Sequence, residues 1–309
     1  MREVNANMKS EQAKHKNNLR RQETISGLLF VSPMMIGLIV LTLLPIIATF
    51  VLSLADWNFV QGFKGITWVG LDNFTRLFRE ETFHISMRNN LIFLLTVPAY
   101  LAVSMALAIL INKYVYMKSY FKVAFFMPYI SSVVAVAIVW QVLFHPSSGP
   151  VNQFLMSIGI DNPPKWIADP NFALISVMMI SVWISIGYNM IVYMAGLQSI
   201  PKDLYEAADI DGASSWVQLR HITIPMLSPT TFFLLITGVI SSFKAFDLIA
   251  VMTAGGPMRS TSMLVWYLYD EAFVSLRVGY ASSIAVVLFG CVLIITGIQW
   301  LAQKKWVNY

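Results

Sequence analysis

The sequence has few charged residues and almost no cysteine. Asp, Glu, Lys and Arg make up 12% of its 309 residues, against roughly 25% in ordinary globular proteins. The single Cys291 excludes an internal disulfide and fits no metal-ligand spacing. This composition excludes a disordered chain and a disulfide-rich scaffold, and it argues against a cytosolic enzyme.

Common catalytic motifs are also missing. The sequence contains no Gly-x-x-x-x-Gly-Lys-Ser/Thr phosphate loop, no His-Glu-x-x-His zinc motif and no nucleophile elbow. His84 and His145 fit no ligand spacing and are interpreted as surface residues. We therefore expect a non-catalytic chain that binds no cofactor. Any ATP and Mg²⁺ that its function requires would be bound by another polypeptide.

Long apolar runs are present instead. Hydrophobic residues make up 57% of the chain, and the mean hydropathy is +0.66. A helix needs roughly 20 mostly apolar residues to cross a bilayer, and six such runs leave too little polar surface for a soluble domain. They predict transmembrane helices at residues 25–54, 90–112, 123–144, 172–196, 230–252 and 279–302.

The basic residues predict the orientation of these helices. Of the 21 Lys and Arg residues, 13 lie in the two terminal tails and in the segments after the second and fourth runs. Seven lie in the other connecting segments, and Lys244 lies inside a run. Because basic residues concentrate on the cytoplasmic side, both termini are expected to be cytoplasmic. Topology thus accounts for the net charge of +5, and no nucleic-acid partner is expected.

The predicted organisation is a cytoplasmic tail at 1–23, a transmembrane domain at 24–303 and a cytoplasmic tail at 304–309. Three connecting segments are expected to be external: 56–88, 145–169 and 253–277. Within the last of these, Ser262–Tyr269 is apolar but too short to span. It is interpreted as a segment lying in the membrane interface.

The cytoplasmic loop at 197–225 has the pattern of two short helices. Pro201 stands where a helix can begin, and Lys202–Ile210 contains good helix formers. Gly212 is expected to end this helix in a turn that a residue with a Cβ would resist. A second amphipathic stretch, Ser214–His221, follows.

This loop also carries a family resemblance. Glu206-Ala207-Ala208, then Gly212, then Ile222-Thr-Ile-Pro225 after nine further residues, resembles the EAA loop of permeases in binding-protein-dependent ABC importers. Ile224 stands where that motif usually has Leu. Other similar segments are Gly70–Phe74, Phe126–Tyr129, Ala195–Pro201, Asp211–Ala213, Phe246–Ile249, Thr253–Pro257 and Gly279–Ala281. Together they resemble the carbohydrate-uptake branch, which includes the maltose-system F and glycerol-phosphate-system A permeases.

The resemblance implies a type I ABC importer permease fold in a bacterial or archaeal cell membrane. The implied partners are a second homologous permease, a homodimeric ABC ATPase, an extracellular sugar-binding protein or lipoprotein, and membrane lipid. The loop would be the coupling element that docks on the ATPase. Glu206 would contact a basic residue there, Ala207 and Ala208 would allow close approach, Gly212 would form the turn, and Pro225 completes the motif.

Polar residues inside the fourth and fifth runs are candidate substrate contacts, since buried polar groups in membranes are usually functional. Three-residue spacing puts Ser185 and Tyr188 on one helix face, and it does the same for Lys244 and Asp247. Hydroxyl groups and an aromatic ring suit a sugar. Registration on the resembling maltose-type permease places the contacts at Ser185, Tyr188, Gly238, Ser241, Ser242 and Ala245.

Alternative interpretations remain for these residues. The serine hydroxyls could bond to their own helix or to a neighbouring one. Tyr188 could pack in the core, Lys244 and Asp247 could form an internal ion pair, and Glu206 could be a solvated helix residue.

Three classes of function were compared with the sequence. A secondary transporter would normally have more spans and internal repeats, and a membrane enzyme would need catalytic motifs that are missing. The sequence therefore favours a permease subunit of an ATP-driven importer of a sugar, an oligosaccharide, or a related polyol or glycerol phosphate. An ATPase that co-purifies with the chain would separate this class from the other two.

Overall fold

The computed structural model describes residues 22–304, and the secondary structure in this range is helical apart from one small hairpin. Residues 1–21 and 305–309 of the predicted tails lie outside this range. The helices are α1 (Gln22–Leu52), α2 (Asp72–Leu77), α3 (Glu81–Phe93), α4 (Thr96–Tyr114), α5 (Lys118–Ile130), α6 (Val133–Leu143), α7 (Pro150–Ser157), α8 (Pro170–Gln198), α9 (Lys202–Ile210), α10 (Ser215–Gln218), α11 (Ile224–Met226), α12 (Ser228–Phe243), α13 (Asp247–Met252), α14 (Leu264–Tyr269) and α15 (Val278–Gln303). Strands β1 (Ala55–Asp56) and β2 (Thr67–Trp68) pair antiparallel. Helix α1 forms one compact unit, and the chain from Ser53 onward forms another.

Most of the helical mass is long and apolar enough to cross a membrane. Within the described residues, five stretches meet this requirement: Gln22–Leu52, Glu81–Lys113, Pro170–Gln198, Ser228–Met252 and Val278–Gln303. Helices α5 and α6 together supply a sixth if the bent pair is one span. The predicted all-α membrane fold is confirmed, with five or six spans.

The third span differs from the continuous helix predicted at 123–144. Helices α5 and α6 meet at an angle of 92°, and the break lies at Ser131 and Ser132. Pro128 lacks a backbone donor, and the Ser131 hydroxyl donates to the carbonyl of Met127 at 2.8 Å. Both features weaken continuation of a helix. The hydrophobic run does not reveal the bend, because both halves are apolar.

The second span begins nine residues earlier than the predicted 90–112, at Glu81. Polar residues ended the hydrophobic run, but their side chains have partners elsewhere in the fold. The Asn89 amide donates to the carbonyl of Ser262 at 2.9 Å. The Asn90 side-chain oxygen accepts from the Leu264 amide at 2.8 Å. Bonded polar groups cost far less to bury than unpaired ones, so the helix can continue through them.

The fifth span is interrupted between α12 and α13, at Lys244–Phe246. Lys244 and Asp247 are therefore not joined by one continuous helix, although both line the same cavity. Their side chains also form no ion pair with each other within 4 Å, since the only salt bridge recorded among residues 22–304 joins Arg277 to Glu271. Both charged residues are exposed at the break.

Helices α4 and α8 form the central packed pair of the second unit. Ala108 on α4 and Met190 and Tyr193 on α8 are fully buried in a shared apolar cluster. The Ser104 hydroxyl donates to the carbonyl of Ile186 at 3.0 Å. This pairing fixes the end of α8 from which the 197–225 loop emerges.

Helix α14 lies within the segment predicted to rest in the membrane interface. Leu264 is fully buried and Tyr267 is 5% exposed. They pack with Leu77, Phe83 and Tyr280 in one apolar cluster. Long-range packing therefore buries these apolar side chains inside the protein, and the interfacial position of the segment stays a prediction.

Candidate coupling loop and substrate pathway

The predicted turn at Gly212 is confirmed. Gly212 has φ +72°, and its amide donates to the carbonyl of Asp209 at 3.1 Å. The amide of Ala213 donates to the carbonyl of Ala208 at 2.9 Å. These two bonds form a Schellman motif, in which glycine is the favoured residue at the left-handed position. A Cβ at Gly212 would meet no atom within 4 Å, so the restriction comes from the backbone and not from crowding.

Side-chain hydrogen bonds hold the two arms of the loop together. The Tyr205 hydroxyl on α9 bonds the Thr223 hydroxyl at 2.9 Å. Gln218, which is 9% exposed, donates from its amide to the Asp209 carboxylate. A turn of π-helix at Leu219–Thr223 connects α10 to α11. The expected second stretch, Ser214–His221, is therefore a four-residue α-helix followed by a wider turn.

The loop is also connected to the second span. The Lys113 ammonium at the end of α4 donates to the Ser215 hydroxyl at 3.2 Å. A cavity of about 660 Å³ lies between this end of α4 and the loop. The loop therefore contacts α4 as well as the two spans it joins in sequence.

The outer surface of α9 has few contacts. Glu206 and Ala207 are exposed, whereas Ala208 and Pro225 are half-buried. Ile210 is 87% exposed and Trp216 is 69% exposed. Apolar side chains at these exposures, next to a carboxylate, are typical of a surface that a partner covers.

The predicted substrate residues separate into several environments. Ser185 and Ala245 line a cavity of about 160 Å³ beside the break in the fifth span, together with Lys244, Asp247 and other residues. The Ser185 hydroxyl donates to the carbonyl of Ser181 at 2.8 Å. This hydroxyl already has a partner on its own helix, as one alternative predicted.

The other four predicted residues do not line this cavity. Tyr188 is half-buried and stacks on Tyr129, with ring centroids 4.9 Å apart. Ser241 is exposed, while Ser242 is buried and its hydroxyl donates to the carbonyl of Val239 at 2.8 Å. Gly238 is buried.

Gly238 allows close packing between two spans. A Cβ at this position would collide with the Tyr100 hydroxyl and lie 2.9 Å from a methyl carbon of Val97. In the described structure, Gly238 therefore permits α12 to approach α4. Its role in a substrate pathway remains a prediction.

The sequence reasoning missed an aromatic group next to the cavity. Phe246 lines the cavity and stacks on Trp266, with ring centroids 5.8 Å apart. Tyr269 contacts both rings, at 4.9 and 5.6 Å. Trp266 and Tyr269 lie in α14, whereas Phe246 lies in the fifth span. No local sequence pattern connects the two elements.

Fold, loop and cavity together define a multi-span membrane transport component. Residues 94–307 match the family described as the binding-protein-dependent transport system inner membrane component. The match extends over five of the six predicted spans and includes the 197–225 loop. The chain belongs to this family, and it is a multi-pass membrane permease of an ABC transport system.

Named relatives are similar along most of their length. A probable ABC transporter permease from Pyrococcus horikoshii is 35% identical over 87% of this chain and 92% of the relative. The lactose transport system permease LacF from Rhizobium radiobacter is 33% identical over 94% and 98%. The sn-glycerol-3-phosphate transport system permease UgpA from Agrobacterium fabrum is 34% identical over 78% and 83%.

Solved structures confirm the type I importer fold. A chain of a bacterial ABC transporter involved in import of the acidic polysaccharide alginate has a TM-score of 0.81 and 24% identity, covering 94% of this chain and 99% of that one. A chain of the alginate transporter in complex with its pentasaccharide-bound periplasmic protein has a TM-score of 0.79 and 25% identity, covering 94% and 96%.

Proposed function

We propose that this chain is a non-catalytic permease subunit of an ATP-driven importer for a sugar, an oligosaccharide or a related polyol or glycerol phosphate. An extracellular binding protein would deliver the substrate, and a second homologous permease would complete the pathway. A homodimeric ATPase would bind ATP and Mg²⁺ and supply the energy. The similarity to permeases named for lactose and glycerol phosphate, over 94% and 78% of this chain, supports this substrate range.

The observation that carries the proposal is the braced but exposed loop at 197–225. Its two arms are joined by the Tyr205–Thr223 and Gln218–Asp209 hydrogen bonds, so displacement of α9 would move both arms together. The Lys113–Ser215 contact would pass the same displacement to α4. Closure of the ATPase dimer would thereby reach three spans at once.

Docking would use the surface around Glu206. Its carboxylate can accept a charge-assisted hydrogen bond from a basic residue, and the small side chain of Ala207 leaves room for a partner. Exposed Ile210 and Trp216 would contribute apolar contact area. Such a mixture of charge and apolar surface fits a protein partner better than it fits water or lipid headgroups.

The substrate would pass the break in the fifth span. Lys244, Asp247 and Ser185 line a cavity there, and the Phe246 ring borders it. Ionisable residues at membrane depth commonly mark substrate paths. Hydroxyls of a sugar could bond to both charges, and the aromatic ring could pack against its apolar face.

Co-purification and uptake test the proposal together. The chain, co-expressed with its candidate permease and ATPase partners, should purify with the ATPase. In vesicles supplied with the binding protein outside, the complex should import labelled sugar only when ATP is inside. Glu206→Lys should reduce ATPase recovery, because it reverses the charge on the docking surface. Asp161→Lys makes the same reversal at an exposed residue of the segment after α7 and should have no effect. Uptake without ATP, or equal ATPase recovery with Glu206→Lys, would contradict the proposal.

A further inference from the structure

A third cavity lies apart from the cavity beside the 197–225 loop and from the one at the break in the fifth span. Its volume is about 310 Å³, and it is enclosed by the start of α3, the segment after α13, and α14 with the turn that follows it. Glu80, Arg259, Trp266, Asp270, Glu271 and Arg277 line it. By the predicted orientation, this cavity opens on the external side of the membrane.

The charges around this cavity are not balanced. Glu271 is 4% exposed and forms a two-bond ion pair with Arg277, with nitrogen–oxygen distances of 2.6 and 2.7 Å. The Arg259 guanidinium donates to the Thr82 hydroxyl. Among the described residues, the carboxylates of Glu80 and Asp270 have no ion pair and no side-chain hydrogen bond. The cavity therefore offers open acceptor groups.

Burial is the main influence on a neighbouring tyrosine. The pKa of Tyr267 is raised first by burial, and then by its hydrogen bond with Tyr280 and by the charges of Tyr280, Glu271 and Glu80. The Tyr267 and Tyr280 hydroxyl oxygens are 2.9 Å apart. The two glutamates add to the cost of a negative charge at this place.

The wall of the cavity is held in place by several elements. The Asn89 side chain donates to the carbonyls of Arg259 and Ser262, at 3.1 and 2.9 Å. The Thr261 hydroxyl donates to the carbonyl of Gly256 at 2.8 Å. Ala254 and Arg259 adopt positive φ angles of 47° and 62°. Such backbone conformations persist when surrounding contacts enforce them, and they concentrate at functional sites.

An aromatic contact separates this cavity from the one in the fifth span. Trp266 lines the 310 Å³ cavity, Phe246 lines the cavity in the fifth span, and their rings stack at 5.8 Å with an interplanar angle of 24°. Gly255 lies against the indole, where a Cβ would collide with the ring nitrogen. The two cavities therefore share an aromatic wall.

We propose that the 310 Å³ cavity is an outer subsite for one unit of a neutral, hydroxyl-rich saccharide, which the substrate occupies before it reaches the fifth span. Glu80 and Asp270 accept hydrogen bonds from sugar hydroxyls, and Trp266 packs against the apolar face of the ring. The volume lies at the lower end of the roughly 300–1,000 Å³ found for ligand pockets, which suits one sugar ring. This inference rests on the proposed function.

The unpaired carboxylates also set the charge of the preferred substrate. A uronate or a sugar phosphate would bring a second negative charge next to Glu80 and Asp270, and like charges at short range repel. A neutral sugar donates hydroxyl hydrogens to the same oxygens without this cost. Three carboxylates line the cavity against the two guanidinium groups of Arg259 and Arg277, which leaves one net negative charge. The subsite therefore favours neutral saccharides over anionic ones.

Binding to the assembled importer in lipid nanodiscs, without its binding protein, tests this subsite. Saturation-transfer NMR would use maltotriose, cellotriose and xylotriose as neutral probes, with trigalacturonate and glycerol 3-phosphate as anionic probes. At least one neutral probe should bind more tightly than either anion. Glu80→Gln and Asp270→Asn should each weaken it about tenfold or more, as expected for loss of a charged hydrogen-bond acceptor.

Two further variants locate the bound probe. Glu81→Gln changes an exposed neighbour outside the cavity and should leave binding unchanged. Ser185→Trp fills the cavity in the fifth span, so a neutral probe that still binds this variant occupies the outer subsite. Loss of binding in Ser185→Trp but not in Glu80→Gln would overturn the inference. Stronger binding of an anionic probe, or no binding of any neutral probe, would also overturn it. Displacement of the probe by Ca²⁺ would overturn it too, because the carboxylates would then form a cation site. ATP-dependent uptake by the wild type would in each case leave the proposed function standing.

Discussion

The 197–225 loop and the 253–277 segment are connections of similar length, but they are built in different ways. The first is braced from within, by Gln218 on Asp209, and it exposes Ile210 and Trp216. The second is held from outside by Asn89 of α3. It buries Met263, Leu264 and Tyr267 next to the 310 Å³ cavity, although Met258, Phe273 and Val274 are exposed. A surface that binds another protein must stay accessible, whereas a cavity for a small ligand must keep its shape. The contrast assigns partner docking to the first region and substrate contact to the second.

The contrast depends first on the two regions lying on opposite sides of the membrane. A green fluorescent protein fused after Tyr309 should fluoresce, because 13 basic residues favour a cytoplasmic position for that face. Alkaline phosphatase fused after Asn162, which is active only outside the cytoplasm, should be active. The expected effect is all-or-none. The reverse pattern, in well-expressed fusions, would exchange the two assignments.

Filling the cavity in the fifth span is expected to have the next largest effect. Ser185→Trp would place an indole in a space of about 160 Å³, so uptake should be nearly abolished while ATPase recovery stays normal. Ser157→Trp, at an exposed position on α7, is the matched control. Normal uptake by Ser185→Trp would move the pathway to other helices.

Ser242 illustrates why cavity geometry matters in choosing such a variant. Ser242 is buried and bonded to the carbonyl of Val239. A tryptophan there would overpack the core and lower the stability of the fold. Loss of uptake would then say nothing about a substrate, whereas the same substitution at Ser185 addresses the pathway directly.

Substitution of Gly212 is expected to have an intermediate effect. Gly212→Val forces a branched residue to φ +72°, at a cost of about 1–3 kcal/mol. Uptake per ATP hydrolysed should fall roughly tenfold, since 1.4 kcal/mol corresponds to a factor of ten. Membrane expression should remain near normal, because the loop lies outside the spans. Gly212→Asn should retain most of the activity, because Asn tolerates left-handed backbone.

Gly159 supplies the control for Gly212. It also has positive φ, +92°, and open space around its Cβ position, but it lies in the segment after α7. Gly159→Val introduces comparable strain away from the loop and should leave coupling intact. Equal losses in the two valine variants would mean that Gly212 acts through general stability and not through docking.

These two regions also differ in how far the sequence predicts them. The turn at Gly212 depends on a helix-ending glycine between two short polar segments, so its signal is contained within a dozen residues. The apolar runs are equally local, and they predict the spans to within a few residues at Pro170–Gln198 and Val278–Gln303. Local patterns suffice where the structure is determined by neighbours along the chain.

Other features depend on residues far apart in the sequence. The extension of the second span to Glu81 needs the Asn89–Ser262 and Asn90–Leu264 bonds. The aromatic contact of Phe246 with Trp266 joins two different elements. The break at Lys244–Phe246 lies inside an apolar run that resembles a continuous helix. No single stretch of sequence contains these relations. The cavity in the fifth span and the 310 Å³ cavity were therefore not predicted as cavities.

The smallest expected effect comes from the bracing of the loop. In Asp209→Leu, the Gln218 amide loses its carboxylate acceptor but keeps its contact with the carbonyl of Ala213 at 3.3 Å. Asp209 is exposed, so water can replace the lost partner. The cost should therefore fall below the 1.5–3 kcal/mol typical of charged hydrogen bonds, to about 0.5 kcal/mol. Amides of α9 should exchange hydrogen several-fold faster, and uptake should fall two- to threefold, roughly the effect of a few tenths of a kcal/mol. Asp209→Asn keeps an acceptor oxygen and should stay close to wild type in both measurements. Identical behaviour of the two variants would show that the Gln218–Asp209 bond does not stiffen the loop, and transmission of movement would then depend on the Tyr205–Thr223 contact.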